Sequence, residues 1–214
     1  MKRGKRLEVN EMETEMLRIF DIHHNPIGIA SRDEVHRKGY WHETFHCWVL
    51  EGNQIFFQLR SLDKKDYPGL LDITAAGHLL ANETVEDGIR EIQEEIGLQP
   101  TFADMIPIGV IKNEITLDSI IDLEFSHVFV YEGHNVIKHC VLDQEEVSGL
   151  VQATFSSFYD LVRGRCEMIE VEGIDSNHLG VRQTIQKMIG LRDLVPHDQN
   201  YLLEVTKRIK KSFE

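Results

Sequence analysis

Three carboxylates crowd one short stretch. Glu91, Glu94 and Glu95 stand in the run Arg-Glu-Ile-Gln-Glu-Glu-Ile-Gly-Leu, residues 90–98. On a helix they fall at i, i+3 and i+4, with Asp87 one turn earlier, so they cluster and repel one another. Glu94 and Glu95 also approach the C-terminal end, where the helix dipole disfavours negative charge. Helix stability alone does not select this arrangement. A hard divalent cation does, because Mg²⁺ takes carboxylate oxygens and keeps water and substrate phosphates as its other ligands. The plain alternative is a solvated acidic face, so the surrounding pattern has to decide.

Two further groups invite a chemical reading. In SIIDLEFSHVFVY, residues 119–131, strand alternation puts Asp122, Glu124 and Ser126 on one face and Leu123, Phe125 and His127 on the other. The acids are either the strand's exposed side or part of a site. HETFH, residues 42–46, has the H-E-x-x-H spacing of a zinc protease, which works only on a helix. The apolar, strand-forming run that follows predicts a strand instead. There His42 and His46 share a face but stand about 13 Å apart, too far to chelate one ion. Each His is then a polar group at a strand end or on a sheet surface, although His36, His42 and His46 lie close enough in sequence to share a pocket.

The elements that must position these groups can be read locally. Residues 18–32 predict a strand, a turn at Asn25-Pro26 and a second strand. FHCWVL and IFFQLR predict a hairpin across Glu51-Gly52-Asn53, followed by a loop in SLDKKDYPG. Residues 82–97 predict a helix. Thr84 is its N-cap, Asp87 completes a capping-box-like pair, and Gly97 is the stop. Val85, Ile89, Ile92 and Ile96 form its buried stripe, and Gly88 inside it implies close packing against a sheet. Residues 106–112 and 120–131 predict strands, 143–151 and 155–163 helices, and 166–174 a strand. From about 178 onward the pattern reads as helical, broken near Val195-Pro196. The basic amphipathic end, with Leu202, Leu203, Val205 and Ile209 in a narrow stripe, predicts a helix packed on its own domain.

Size and composition bound the function. The chain has 214 residues, 42% hydrophobic and 28% charged, enough for one domain with a real core. Its formal net charge of −13 argues against binding a nucleic-acid polymer or an anionic membrane. A phosphorylated substrate would need positive charge from elsewhere, such as a divalent cation. No apolar run is long enough to span a membrane, and the N-terminus has no apolar core of a secretory signal. Cys47, Cys140 and Cys166 are odd in number and scattered, which fits the cytoplasm.

The order Gly77, five residues, Glu83, then Arg90 to Leu98 resembles the signature of the Nudix hydrolases. The runs DEVHRKGYWHETFHCWVL and QLRSLDKKDYPGLLDITAAGHL are similar to the branch that contains isopentenyl-diphosphate isomerase and its hydrolase-like relatives. The resemblance implies an α/β fold, a Nudix-type α/β/α sandwich with a mixed sheet, here with C-terminal helices. Residues 18–174 would form the Nudix domain, 1–17 an N-terminal extension and 175–214 a helical extension packed on it. The implied reaction is Mg²⁺- or Mn²⁺-dependent hydrolysis of a nucleoside diphosphate linked to some group, or of a related small diphosphate. The implied metal ligands are Glu91 and Glu95, with Glu94 beside them, the Gly77 carbonyl and Glu124. Asp122 is second to Glu124 as the strand carboxylate. Glu94 or Glu124 would serve as base, and Arg90 would orient a carboxylate. Arg60, Lys64, Lys65 and His78 would contact phosphates or the metal. A homodimer is the implied assembly.

Two departures matter. The family pattern has seven residues between the first Glu and the Arg; this chain has six, Thr84 to Ile89, which turns Glu83 by about 100° on a regular helix. Ala76 stands before Gly77-His78, where the isomerases carry a catalytic Cys. Without that thiol, hydrolase is favoured over isomerase. A catalytically inactive Nudix-fold sensor is the non-enzyme alternative, but such modules lose the glutamates that this chain keeps. His36, His42 and His46 match the isomerase metal histidines only loosely, because their spacing differs.

Overall fold

The computed structural model describes residues 15–117, 120–176 and 181–213. Most of the predicted 1–17 extension therefore lies outside the described residues. A hairpin of β1 (Met16–Phe20) and β2 (Pro26–Ser31) turns at the expected Asn25-Pro26. Next comes α1 (Arg32–Lys38), a stretch the sequence reading leaves unassigned. The Ser31 hydroxyl caps it by accepting from the Glu34 amide.

HETFH lies in β3 (Trp41–Glu51), as expected, which pairs with β4 (Gln54–Arg60) across the Gly52-Asn53 turn. The zinc-protease spacing therefore sits on a strand, not a helix. β5 (Leu71–Ile73) pairs with β4, and β6 (Ala75–His78) pairs with β3. β7 (Met105–Leu117) and β8 (Ile120–Glu132) form a long antiparallel pair. β8 runs parallel to β3 over ten register pairs, which makes the sheet mixed.

The second half departs from its sequence reading. Residues expected to be helical across 143–151 instead enter β9 (Val147–Thr154), which bonds to β4 on one side. On its other side it meets β10 (Ile169–Ser176). The expected helix beyond 178 begins instead with β11 (Arg182–Ile189), paired along the whole of β10. Pairing with a neighbour overrides the helix preference of Gln, Lys and Arg. The expected helices at 155–163 and at the C-terminus appear as α4 (Phe155–Val162) and α5 (Gln199–Ser212). A short α3 (Val136–His139) follows β8.

Alternation along the central strands sorts two cores. Trp48, Leu50, Ile55, Phe57 and Leu59 face Phe158 and Leu161 of α4 and Tyr201, Leu202, Val205 and Ile209 of α5. Phe45, Cys47, Val49 and Phe56 face the opposite way, with Val136 of α3 and with Ile92 and Ile96. The last two lie on α2 (Arg90–Ile96), and each contributes about 1.5–3 kcal/mol by burial. The result is the expected α/β/α sandwich, with its C-terminal helix packed on the same core.

The segment expected to be one helix from 82 to 97 is two pieces. Val85–Ile89 is a 3-10 turn and only Arg90–Ile96 is α-helix. As read from the sequence, Asp87 ties back to Thr84, accepting from its amide at 2.7 Å and its hydroxyl at 2.8 Å. Gly88 is buried against the sheet. A Cβ there would stand 2.6 Å from the Phe45 Cβ and 2.7 Å from its ring. Ala normally gains about 1 kcal/mol over Gly in a helix, whereas overpacking costs about 1–3 kcal/mol. Gly88→Ala is therefore expected to lower the urea midpoint. A raised midpoint would show that the close approach to Phe45 is not what keeps glycine there.

Candidate active site

The elements converge on one cavity of about 420 Å³. It is lined by Thr44 and His46 of β3, Ala76, Gly77 and His78 of β6, the start of α2, Asp122 and Glu124 of β8, the loop after β4, and His197. Arg60, Lys64, His78, Gly77, Arg90, Glu91, Glu94, Glu95 and Glu124 all reach it; Lys65 is exposed and does not.

The helix carboxylates divide two to one. Glu91 and Glu95, one turn apart, turn inward and are buried. Glu94 stays at the rim with 62% of its side chain exposed, held 3.3 Å from Arg90. The three do not converge on one point, as the sequence cluster suggested. Burial and the neighbouring Glu91 push the Glu95 carboxyl well above its ordinary value. Gln58 and the Ala76 amide donate to it at 3.1 and 3.0 Å. Burial lifts Glu91 to about 7 against the pull of Arg90, 2.6 Å away, with Glu94 and Glu83 adding to the rise. Gly77 lies beneath it, and a Cβ there would run into a Glu91 carboxylate oxygen, which would have to turn away.

Glu83 reaches Arg90 despite the short spacing. Its oxygens accept from Arg90 Nε at 2.7 Å and Nη2 at 3.2 Å. A 3-10 turn advances about 120° per residue against about 100° for an α-helix. Five residues of it, Val85–Ile89, regain about 100°, the rotation lost with the missing residue. Arg90 also donates to the His78 carbonyl at 3.0 Å. It is thereby an organiser of Glu83, Glu91 and Glu94.

A second set stands across the cavity. His36, His42 and His78 bring ring nitrogens within 4.8 Å of one another, and His42, Asp122 and Glu124 do the same with their ligand atoms. His46, grouped with His36 and His42 by sequence proximity, is replaced in this cluster by His78. Burial holds both His42 and His78 below the ordinary imidazole value, and His78 Nε2 lies 3.3 Å from His36 Nε2. His42 Nε2 and Asp122 Oδ1 stand 3.4 Å apart, and neither has a hydrogen-bond partner. Thr44 Oγ1 and Tyr67 Oη are likewise buried and unpartnered at the cavity wall. Buried polar atoms without partners are costly, so the site is built for something further to satisfy them.

Glu124 has the opposite electrostatics to Glu95. Burial works against its charge, but His46, with its hydrogen bond and charge, holds the carboxyl far below the usual range, helped by His42 and Asn113. Asn113 donates to it at 2.7 Å and Ser126 at 3.2 Å. His46 Nδ1 lies 2.7 Å from the Tyr201 hydroxyl of α5. His197 completes the wall, 2.7 Å from Asp72 and 3.1 Å from Asn113. Burial would lower the His197 value, but Asp72 outweighs it and raises it. Asp72, Asn113, His197 and Tyr201 escape sequence reading. They come from β5, β7, the loop before α5 and α5 itself, and His197 meets a residue 125 positions away. Of the basic residues, Arg60 is paired with Asp72 at 3.0 Å and Lys64 with Glu146.

Among the described residues, no cysteine lines this cavity. Cys47 is buried in the opposite core, where desolvation pushes its thiol far up.

A family model described as NUDIX domain matches residues 41–163. An uncharacterized Nudix hydrolase of Clostridium acetobutylicum is 37% identical over 206 residues, covering 94% of this chain and 100% of that protein. Isopentenyl-diphosphate Delta-isomerase 2 of Photorhabdus laumondii is 29% identical over 136 residues, 63% of this chain and 74% of that enzyme. The crystal structure of DR0079 from Deinococcus radiodurans superposes with a TM-score of 0.50 at 17% identity, covering 70% of this chain and 90% of that one, a likeness of fold.

Proposed function

This chain belongs to the Nudix family, and from that premise we propose that it is a metal-dependent hydrolase of a small diphosphate. The substrate class is a nucleoside diphosphate carrying a further group, or a related diphosphate. The observation that carries the reading is the pairing of two buried, charge-deprived glutamates with unpartnered ligand atoms around one cavity. A pocket of about 420 Å³ suits a small molecule rather than a polymer.

The residues fit the family's metal. Glu91 and Glu95 would hold a hard ion such as Mg²⁺ or Mn²⁺, with Glu124 facing them. His36, His42, His78 and Asp122 offer nitrogens and oxygen to a softer divalent ion. When bound, such ions neutralise phosphate charge and acidify an attacking water. Arg90 fixes Glu91 so that its oxygens stay turned inward. Glu124, ionised and anchored by Asn113, would accept the proton of a water that the bound ion acidifies. Glu94, at the rim, is the second choice as base. Arg60 and Lys64 would exchange their carboxylate partners for phosphate oxygens, and Arg60 is the better suited through its fork geometry.

Isomerase chemistry is disfavoured by Ala76, whose methyl stands where the reaction would need a thiol, and by the burial of Cys47 away from the cavity. Among the described residues, no helix is long and apolar enough to cross a membrane. Free cysteines and the acidic charge support a cytoplasmic setting without nucleic-acid polymer or membrane partners. A homodimer remains part of the proposal, tested by light scattering.

The deciding experiment is a screen over nucleotide sugars, dinucleotides, ADP-ribose, oxidised nucleotides and prenyl diphosphates with Mg²⁺ and Mn²⁺, in which cleavage is followed by the appearance of the phosphorylated products in ³¹P NMR. Metal-dependent cleavage of at least one class is expected. Conversion of isopentenyl diphosphate to its isomer without cleavage would replace this reading by the isomerase one.

A further inference from the structure

We propose that His24, Glu43 and His127 form a binding site for a zinc-type transition-metal ion, separate from the catalytic cavity. None of the three lines that cavity. The separation follows from strand geometry. β3 and β8 pair in parallel with Glu43 opposite Phe125 and Phe45 opposite His127. Alternation then puts Glu43 and His127 on one face of these strands and His42, His46, Asp122 and Glu124 on the other. The same two strands carry catalytic groups in front and this cluster behind.

The ligand atoms already converge. His24 Nε2 and His127 Nε2 each lie 2.9 Å from Glu43 Oε1, and all three atoms fall within 4.8 Å of one another. Two ligands sit on central strands, and the third is held on a braced hairpin. Asp21 accepts from the amides of His23 and Asn25 and from the Asn25 side chain, each at 2.9 Å. The His24 ring stacks on Phe125 with centroids 4.0 Å apart and planes 20° apart, which fixes where its nitrogen points. Lys112, the neighbouring cation, is drawn to the Ile22 carbonyl at 3.0 Å and lies over the Trp41 ring.

Two imidazoles and one carboxylate select zinc-type ions over Mg²⁺, which prefers oxygen. Three protein ligands leave a coordination position, and His24, 31% exposed, lies open to solvent on that side. The site would therefore take an ion that keeps a water or accepts an outside ligand.

The alternative is a carboxylate merely shared by two ring N–H donors, and metal retention separates the two. Zinc retained per chain is measured after equilibration with Zn²⁺ in excess Mg²⁺, for the wild type, His24→Ala and His127→Asn, each also in a His42→Ala background. Each substitution is expected to remove one equivalent, or to weaken its binding at least about 10-fold, with or without His42. Hydrolysis of the best substrate in Mg²⁺ is expected to stay unchanged in the His24→Ala and His127→Asn single variants. His24 lies at a half-exposed hairpin, so His24→Ala decides if His127→Asn does not fold. Unaltered zinc retention in a folded His24→Ala protein overturns the site. A loss that disappears in the His42→Ala background overturns its independence.

Discussion

Glu95→Gln is expected to cut turnover by about a thousandfold and, in the ion-free protein, to raise the melting temperature at pH 8. The first half follows from the metal. Charge stabilisation by a bound divalent ion is worth several kcal/mol, and each 1.36 kcal/mol is tenfold in rate. The second half follows from burial. The Glu95 carboxyl is pushed well above its ordinary value, first by desolvation and then by Glu91. A folded state that holds its proton more tightly than the unfolded chain gains stability at low pH. That gain is lost as pH rises from the unfolded value of 4.5 through the folded one. Gln imitates the protonated form and escapes the loss, so wild type and variant should melt together near pH 4 and diverge above it. For Glu91 the window is set: 4.5 to about 7. The full shift corresponds to about 3 kcal/mol, reduced in Glu91→Gln because Arg90 loses its charged partner at 2.6 Å. Thermal melts with and without Mg²⁺ check both variants, and the ion should stabilise the wild type far more than either.

Glu124→Gln is expected to be equally inactive but to fail in the opposite direction. Its carboxyl is held low by His46 despite burial. A depressed folded value gives stability that is present above the unfolded value of 4.5 and lost as pH falls through the folded one. Removing the charge takes away the buried carboxylate to which Asn113 and Ser126 donate and beside which His46 stands, 3.5 Å away. Breaking a buried pair costs about 3–5 kcal/mol, so the urea midpoint at pH 7 should drop sharply. Two glutamates in one cavity thus answer the same substitution with opposite signs of stability. A stable Glu124→Gln protein would mean that the fold does not hold the Glu124 carboxyl ionised.

What was legible in the sequence was local. Glu91, Ile92, Glu95 and Ile96 follow helical spacing, and the alternation in residues 119–131 correctly placed Asp122 with Glu124 and His127 behind them. Gly88 announced close packing against the sheet, and the structure shows the partner to be Phe45. Distant pairing was not legible. Val147–Thr154 becomes strand because β4 and β10 flank it, and Arg182–Ile189 because β10 does. The helix spacing suggested that Glu83 was misaligned, yet a 3-10 turn restores its bond to Arg90. The inward turn of Glu91 and Glu95 but not Glu94 depends on what each side of α2 meets in three dimensions. His78 joins His36 and His42 only because β6 runs antiparallel to β3, bringing His78 opposite Thr44.

The central claim is that water cleaves a phosphorus–oxygen bond in this cavity with a divalent ion present. ³¹P NMR of the best substrate, turned over in ¹⁸O-enriched water with Mg²⁺, tests it directly. The account predicts one product phosphate carrying ¹⁸O, formed by the wild type, suppressed by chelator and absent with Glu95→Gln. Unlabelled phosphates, or labelling that proceeds equally with Glu95→Gln, would contradict it.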